Sequence, residues 1–395
     1  MRWKLFWLKA KPEAIGKIVY RLDIGCLDGM RSVYIPAIDS VHYFLQSSLK
    51  KPIIASKDLF IEELGLFESF LAFWHFFLTC YQYGKFRFPG YCIFPYGSRK
   101  TRKAFYRFNR FMYNRRMPLD SKQFLYVQEL FEGWNENSSP KMNRKPKHSL
   151  KIAIVAHCYY KEIWPEIANL LSGLNFNFDL FVTIVKENED LEKDILKKFP
   201  SGQLYVMENK GRDVFPFLYL LELGFFESYD YICKIHGKTS QKEGHYPIEG
   251  ILWRRWLFFD LLGAPNAVIH IINIFENNPH IGMIGSGRYR RKKRYSIFTK
   301  RNKVYERVAD LSRRMGFSIQ NSDFDFFNGT MFWVRPTCLD PIRKLHLSQE
   351  FEDEKGLTDG AMEHAVERLL AFSVKQTGFS LEEVDFVSEY EKKSR

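Results

Sequence analysis

The sequence predicts an α/β fold with a mostly parallel, Rossmann-type sheet, preceded by a basic and mainly helical region. After residue 150, short β-branched apolar runs alternate with helical periods. A polar stretch with two prolines, at 134–150, separates this alternation from the preceding residues. The first 150 residues hold 25 Lys and Arg against 12 Asp and Glu, whereas the rest hold 34 of each. We therefore expect a basic aromatic region at 1–133, a linker at 134–150 and an α/β domain at 151–395.

The longest apolar stretch of the first region runs from Leu64 to Tyr83. Polar or small residues recur there with a helical period and form one narrow stripe: Glu68, Ala72, His75, Thr79 and Gln82. The run without formal charge between Glu68 and Lys85 is 16 residues long, which is shorter than the ~20 residues that a membrane-spanning helix needs. We expect this basic region to lie on an anionic bilayer surface without crossing it. A helix packed against the second domain is the alternative.

Seven elements follow the linker, all predicted from their apolar patterns: strands at 151–160, 178–185, 203–209 and 229–236, and helices at 162–171, 191–199 and 214–223. Helical connections of this kind predict parallel strands with helices on both faces of the sheet. A ligand is then expected beyond the carboxyl ends of the strands. Further on, FFNGTMFWV at 326–334 predicts another strand, and TDGAMEHAVERLL predicts a helix that Asp359 opens.

The sequence lacks the motifs of phosphate-binding P-loops, zinc sites, nucleic-acid-binding proteins and secretory signals. The stretch KIHGKTS ends like a phosphate-binding P-loop, but that motif needs a glycine five positions before Gly237, where the chain has Ile232. The six cysteines lack the paired spacing of zinc sites. Basic and aromatic residues interleave without a recognisable nucleic-acid motif, so no nucleic-acid partner is expected. The N-terminal residues do not resemble a secretory signal, so we expect a cytoplasmic location.

Polar residues cluster at the predicted strand ends. Several cationic donors together can offset the charge of a diphosphate where no metal does so, and four should converge at this edge: Arg212, Lys234, His236 and Lys238. Arg254, near the start of a later helix, could reach the same edge. The remaining donor-site candidates are His157, Asn209, Gly211 and Asp213. A plain turn with Asp213 as the helix N-cap is the structural alternative.

Three carboxylates recur every fourth residue on the last predicted helix: Asp359, Glu363 and Glu367. Like charges at this spacing repel each other, unless His364 and Arg368 compensate them. The functional interpretation is a general base, with Asp359 as the first candidate because it opens the helix, and Glu363 as the second. The candidates for an acceptor or sugar pocket are Asn328, Gly329, Thr330 and His364.

The motifs AHCYY, NKGRDVFPFL, YDYICKIHGKTS, FNGTMFWVRP and TDGAMEHAVERL occur in this order over roughly 151–378. In combination they resemble the rhamnan synthesis protein F family of bacterial polysaccharide glycosyltransferases. The resemblance implies a GT-A-like fold and transfer, expected to be inverting, of a sugar from a nucleotide diphosphate donor such as dTDP-rhamnose. The implied acceptor is a lipid-linked glycan of cell-wall or O-antigen synthesis, at the inner face of the cytoplasmic membrane. A catalytically silent scaffold of a polysaccharide assembly complex is the alternative.

One departure from the wider GT-A pattern concerns the metal. Those enzymes usually carry Asp-x-Asp at the strand end, where this chain has Lys234-Ile235-His236. Cations cannot ligate a divalent metal as carboxylates do. We therefore expect no cofactor and a metal-independent site in which fixed positive charge replaces the ion. Asp323 and Asp325 form an alternative metal pair.

Overall fold

The computed structural model describes residues 4–11, 19–26, 29–36, 42–47, 53–54, 59–83, 86–88, 91–96, 103, 106–107, 150–238, 247–264, 266–291, 303–319, 325–354 and 360–386. The chain divides into two compact units. The first comprises Met1–Glu132 and Thr239–Trp253, and the second comprises Gly133–Lys238 and Arg254–Arg395.

Antiparallel strands predominate in the described part of the first unit. In chain order they are β1 (Lys4–Ala10), β2 (Val19–Cys26), β3 (Gly29–Pro36), β4 (His42–Ser47), β5 (Ile53–Ile54), β6 (Leu59–Glu63), β7 (Phe86–Phe88) and β8 (Tyr91–Tyr96). They form a five-stranded sheet in the order β6-β1-β4-β8-β7 and a three-stranded sheet in the order β3-β2-β5. Helix α1 (Leu66–Tyr83) follows β6 and agrees with the helix predicted at Leu64–Tyr83.

The prediction of a mainly helical first region is therefore wrong for the described residues. In β1, Phe6 and Leu8 are fully buried, whereas Trp7 and Lys9 are partly exposed. This alternation has the period of two that belongs to a strand with one buried face. Aromatic residues also favour strands, so the aromatic residues of β1 fit this alternation.

The second unit is built on a seven-stranded sheet. Its strands are β9 (Ile152–Cys158), β10 (Asp179–Val185), β11 (Gln203–Met207), β12 (Tyr231–His236), β13 (Ile281–Ser286), β16 (Phe332–Val334) and β17 (Ser380–Val384), while β14 (Arg290–Arg291) pairs separately with β15 (Phe326–Phe327). The order is β11-β10-β9-β12-β16-β13-β17, with β16 antiparallel to both neighbours and the other pairs parallel. The predicted α/β fold with a mostly parallel sheet is confirmed.

Helices cover both faces of this sheet. The α-helices after α1 are α2 (Trp164–Ser172), α3 (Glu192–Lys198), α4 (Val214–Glu222), α5 (Pro247–Phe258), α6 (Ala267–Asn277), α7 (Lys303–Arg314), α8 (Asp340–Arg343) and α9 (Met362–Gln376). Val155 of β9 shares one core with Leu218 of α4 and Leu369 of α9. Ile154 and Ala156 are equally buried and, by alternation, point to the opposite face. Strand β9 is thus buried on both sides, as expected at the centre of a parallel sheet.

Two predicted elements differ from the structure. The single strand expected at 326–334 is instead two short strands, because Gly329 and Thr330 have positive φ values of 102° and 49°, which interrupt an extended backbone. The last helix begins at Met362 with Ala361 as its N-cap. Asp359, which was predicted to open it, lies outside the described residues.

In the part of the chain that the structure describes, no single helix is long and apolar enough to cross a membrane. One bent pair, Glu249–Gly263 with Ala267–Asn277, meets the length and composition requirements together, with an angle of 64° between its helices. Trp256, Phe258 and Ile271 of this pair are fully buried within the protein.

Candidate functional site

The carboxyl ends of β9 and β12 lie side by side at the centre of the sheet. His157 of β9 and His236 of β12 are partners in the parallel ladder, and the Gly237 N–H donates to the His157 carbonyl oxygen at 2.9 Å. From β9 the chain runs outward through β10 and β11, and then returns to β12 on the other side of β9. Because α/β proteins bind ligands in the crevice outside such a switch in strand order, this edge is the candidate site.

A buried ion pair joins β12 to the turn before α4. Lys234 is 1% exposed, and its Nζ donates to Asp213 Oδ2 at 2.6 Å. The amine also donates to the Thr330 carbonyl oxygen at 2.9 Å, and the Thr330 hydroxyl donates to Asp213 Oδ2. Asp213 occupies the predicted N-cap position of α4, but its side chain makes no capping hydrogen bond. The Asp213 carboxylate instead ties the turn before α4 to β12 and to the Gly329-Thr330 turn.

The charges of this pair compensate each other. Burial alone would raise the pKa of Asp213, but interactions with His236 and Lys234 and hydrogen bonds from Lys234 and Thr330 hold it well below its ordinary value. Burial lowers the pKa of Lys234, and the attraction of Asp213 opposes that change. With Asp213 ionised 2.6 Å away, Lys234 keeps its proton. The strand end therefore carries Lys234 together with its carboxylate partner, and the predicted role of Lys234 in donor binding stays a prediction.

The two strand-end histidines are neutral at pH 7. His236 Nε2 donates to the Gly329 carbonyl oxygen at 2.8 Å, and His157 Nδ1 lies 2.9 Å from Thr183 Oγ1. Burial lowers the pKa of His157 to about 3 and that of His236 to about 4, despite the opposing attraction of Asp213. His236 does lie at the predicted place, but it contributes a hydrogen bond there rather than a positive charge.

These lowered pKa values predict a loss of stability in mild acid. An unfolded histidine titrates near ~6.5. Between that pH and about 4, these histidines are therefore protonated in the unfolded chain, whereas His157 and His236 remain neutral in the folded protein. The free energy of unfolding should then fall as pH drops through this window. Urea unfolding at pH 7 and pH 5 measures the difference, and His236→Gln should make it smaller. A variant with the wild-type pH dependence would contradict the assignment to His236.

A second group of side chains surrounds Arg212, just before α4. Gly211 and Arg212 both have left-handed backbones, with φ of 57° and 55°. A Cβ atom at Gly211 would lie 2.2 Å from Phe351 Cδ1, so only glycine fits there. Arg212 forms a forked ion pair with Glu354, with Nε–Oε2 at 2.9 Å and Nη2–Oε1 at 3.1 Å. Strained positive-φ residues of this kind concentrate at functional sites.

Helix α9 adds two carboxylates to this edge. Glu363 Oε1 lies 3.6 Å from Arg212 Nε, and His364 Nε2 lies 3.3 Å from Arg212 Nη1. One turn later, Glu367 accepts a hydrogen bond from the Gly329 N–H at 2.7 Å. Burial raises the pKa of both Glu363 and Glu367. A carboxyl group with a raised pKa is suited to general-base chemistry near neutral pH, and Glu363 is the one that adjoins Arg212.

Arg254 has a structural partner that the sequence did not reveal. It is buried, and its guanidinium donates to both Glu166 oxygens, from Nη2 at 2.9 Å and from Nε at 3.3 Å. Its Nη1 donates to the Lys238 carbonyl oxygen. Burial would raise the pKa of Glu166, but Arg254 and Arg255 outweigh that effect and lower it. Arg254 therefore positions the backbone at Lys238, and direct contact with a donor stays a prediction.

Two predicted asparagines lie at the margin of the site. Asn209 is exposed in the turn after β11. The Asn328 N–H donates to the Tyr289 carbonyl oxygen at 2.9 Å, which fixes the backbone just before Gly329. Their predicted binding roles stay predictions.

The alternative metal pair is only partly described. Asp325 forms a forked ion pair with Arg290 at 2.8 and 2.7 Å, and Lys375 Nζ lies 3.7 Å from the same carboxylate. Asp323 lies outside the described residues. Among the residues that the structure describes, no group of three or more His, Cys, Asp or Glu is arranged to hold a metal ion.

The structure thus brings most predicted residues to one edge and adds others. The residues linked there by the contacts above are His157, Gly211, Arg212, Asp213, Lys234, His236, Gly329, Thr330, Glu363 and His364. Sequence reasoning missed Glu354 and Glu166, the partners of Arg212 and Arg254. Glu367 is the third of the carboxylates spaced four residues apart on the last helix, and this spacing was the sequence feature that could have indicated its contact with Gly329.

A model of one protein family, rhamnan synthesis protein F, matches residues 128–379 of this chain. The chain belongs to that family. The predicted resemblance is therefore confirmed, and membership of the rhamnan synthesis protein F family connects the chain with polysaccharide biosynthesis.

Curated relatives and solved structures are also similar to parts of this family member. Two proteins named "Uncharacterized protein WxcX", from two strains of Xanthomonas campestris pv. campestris, are 26% identical over 259 residues. The match covers 64% of this chain. It covers only about a third (36%) of the length of those relatives. A 4-diphosphocytidyl-2C-methyl-D-erythritol synthase from Anaerococcus prevotii is 10% identical, with 60% of this chain and 88% of that chain covered. Its TM-score of 0.29 is too low to support a conclusion.

Proposed function

We propose that this chain is an inverting, GT-A-like glycosyltransferase that moves a sugar from a nucleotide diphosphate donor to a lipid-linked glycan of cell-wall or O-antigen synthesis. Rhamnose, from dTDP-rhamnose, is the proposed sugar because of the family to which the chain belongs. The observation that carries the proposal is the pairing of Arg212 with Glu363 at the switch in strand order. An arginine, a residue type suited to binding phosphate, thus lies beside a carboxyl group whose pKa is raised by burial, which supports the proposal.

In this proposal the donor diphosphate binds to Arg212 and Lys238. Arg212 is half-buried, and its planar guanidinium suits forked contacts to phosphate oxygens. A bound diphosphate would compete with Glu354 for this guanidinium. The buried pair of Lys234 and Asp213 has a supporting role, because it holds the Gly329-Thr330 turn against the strand ends.

The proposed chemistry is a single displacement at the anomeric carbon. An acceptor hydroxyl oxygen attacks that carbon from the face opposite the donor phosphate and forms the new glycosidic bond. The bond from the anomeric carbon to the phosphate oxygen breaks, and its electron pair leaves with the nucleoside diphosphate. The hydroxyl proton passes to a carboxylate, for which Glu363 is the described candidate and Asp359 the candidate outside the described residues. The cations offset the charge that develops on the leaving diphosphate.

Incubation with dTDP-rhamnose and a lipid-linked glycan tests the proposal. Release of dTDP together with a longer glycan would support rhamnosyl transfer, and release only from another nucleotide sugar would change the proposed donor. A catalytically silent scaffold is the second candidate. It is favoured by the pairing of Lys234, Arg212 and Arg254 with carboxylates, which leaves the described site without a large excess of positive charge. A scaffold would release no nucleoside diphosphate from any donor.

We further propose that the transfer needs no divalent metal, because the strand end carries Lys234 and His236 where metal-dependent relatives of the fold carry carboxylates. Activity is expected to persist in excess EDTA. Lys238→Ala should raise the donor Kd by roughly tenfold to a hundredfold, the loss expected for one charge-assisted hydrogen bond. Isothermal calorimetry with the donor measures this change.

Lys161→Ala is the matched control for Lys238→Ala. Lys161 is an exposed lysine whose amine pairs with Asp190 at 2.8 Å, so its removal should leave the donor Kd unchanged. Activity that disappears in EDTA and returns with Mn²⁺ or Mg²⁺ would overturn the metal-independent proposal. A Lys238→Ala variant with the wild-type Kd would remove Lys238 from the donor site.

A further inference from the structure

Helix α1 of the first unit presents large apolar side chains to solvent on one broad face. Successive helical residues turn by about 100°, so six exposed residues fall within an arc of about 160°: Leu66 (95% exposed), Phe67 (74%), Phe70 (69%), Leu71 (54%), Phe73 (60%) and Trp74 (63%). Monomeric soluble proteins rarely expose a contiguous apolar patch of this kind. We call these six residues the α1 apolar face.

On the opposite side of α1, one small residue is buried. Ala72, only 2% exposed, lies diametrically across the helix from the centre of the α1 apolar face. Glu68 and Ser69 flank Ala72, and both make hydrogen bonds at the start of the helix, with the Gly65 N–H and the Leu64 carbonyl oxygen. On the described part of the helix, the small residue Ala72 is therefore buried while the large apolar residues are exposed, which reverses the usual orientation of an amphipathic helix.

The width and composition of this face indicate what covers it. A partner helix requires only a narrow apolar seam, whereas an arc of about 160° suits a planar apolar medium. Aromatic and charged side chains lie close together on the strands that precede α1. Lys9 Nζ lies 4.8 Å from the Trp7 ring and 3.8 Å from Glu62 Oε2. Residue Lys9 is the register partner of exposed Phe60, whose ring lies 6.0 Å from Lys11 Nζ, just after β1. Aromatic rings beside lysines are typical of a membrane–water interface.

The charge of residues 1–150 complements an anionic surface. Residues 1–150 hold 25 Lys and Arg against 12 Asp and Glu, and α1 itself contains no Lys or Arg. The cations that would attract anionic lipid thus come from other residues of this part of the sequence, while α1 supplies the apolar contact. Both contributions are needed for reversible attachment of a helix that lies in the plane of a bilayer.

We propose that the α1 apolar face inserts into the interfacial layer of an anionic bilayer and holds the protein at the membrane surface. This goes beyond the proposed transfer reaction and does not depend on it. The sequence predicted surface attachment for the first region as a whole, and the proposal assigns that attachment to the six residues of the α1 apolar face. The proposed surface is the inner face of the cytoplasmic membrane.

Vesicle flotation with the full chain tests this proposal. Wild-type protein should float with phosphatidylcholine vesicles that contain about 30% phosphatidylglycerol, float less in ~0.5 M salt, and stay behind with pure phosphatidylcholine. The triple substitution Phe67→Ser, Phe70→Ser and Trp74→Ser should lower the partition coefficient at least tenfold, because three large apolar groups leave the membrane. Since all three side chains are exposed, the variant should keep the wild-type melting temperature.

Three exposed residues of the second unit provide the matched control. Tyr219→Ser, Leu223→Ser and Tyr305→Ser remove the same number of exposed large apolar side chains and should leave flotation unchanged. Flotation of the α1 variant at the wild-type level would overturn the proposal, as would indifference of the wild type to anionic lipid. Light scattering without lipid gives the third decisive outcome. A dimer that the α1 substitutions convert to a monomer, with no effect of vesicles, would show that a second copy covers this face.

Discussion

Asp213→Ala is expected to lower the free energy of unfolding by about 3–5 kcal/mol, the cost of leaving a buried charge without its partner. Lys234 is 1% exposed, and the Asp213 carboxylate contacts its amine directly, at 2.6 Å. The substitution also removes the acceptor of the Thr330 hydroxyl. Equilibrium unfolding in urea at pH 7 measures the loss, with the slope of the transition as a check on two-state behaviour.

Two comparisons make the Asp213 result specific. Asp190→Ala removes a carboxylate from an ion pair with Lys161 that is exposed on both sides, and it should change the midpoint of unfolding little. The double substitution Asp213→Leu with Lys234→Met replaces the buried pair by apolar groups of similar size, and should recover much of the lost stability. An Asp213→Ala variant as stable as Asp190→Ala would mean that Lys234 does not carry a buried charge in solution.

The same ion pair shows where sequence reasoning reached its limit. The alternation of apolar runs predicted a strand at 229–236 and a helix at 214–223, and the structure has them at Tyr231–His236 and Val214–Glu222. Backbone periodicity is a local property, so it can be recognised in one sequence. The charge state of Lys234 is not local, because it depends on Asp213 and Thr330, which lie 21 and 96 residues away in the chain.

For the candidate site, the sequence predicts where the residues lie better than it predicts their charge states. Ligands bind beyond the carboxyl ends of parallel strands, and this rule predicts Arg212 and His236 as candidate site residues. The neutral state of His236 follows from its burial against Gly329, and the restraint on Arg212 follows from Glu354, 142 residues away. In the first unit the error was one of period, since aromatic residues beside lysines suit a two-residue repeat as well as a helical one.

Glu363→Gln is expected to lower the rate of sugar transfer by ~10²–10⁴-fold while donor affinity changes by less than about twofold. The amide keeps the size of the side chain but cannot take a proton from the acceptor hydroxyl. Because burial raises the pKa of Glu363, the wild-type rate should increase with pH as this group loses its proton, and that limb of the profile should be absent from the variant. Initial rates of nucleoside diphosphate release from pH 5 to 8, with the donor Kd measured separately, distinguish loss of the base from loss of binding.

Glu192→Gln is the matched control, because Glu192 is an exposed glutamate in the first turn of α3, as Glu363 is a buried one in the first turn of α9. Its rate and pH profile should equal those of the wild type.

Asp359→Asn completes the comparison. A Glu363→Gln enzyme with near-normal turnover beside an inactive Asp359→Asn enzyme would transfer the role to Asp359, with Glu363 left to orient Arg212. Near-normal turnover in both would place the base outside this part of the chain. The general-base role of this segment would then be wrong even if the transfer reaction itself is confirmed.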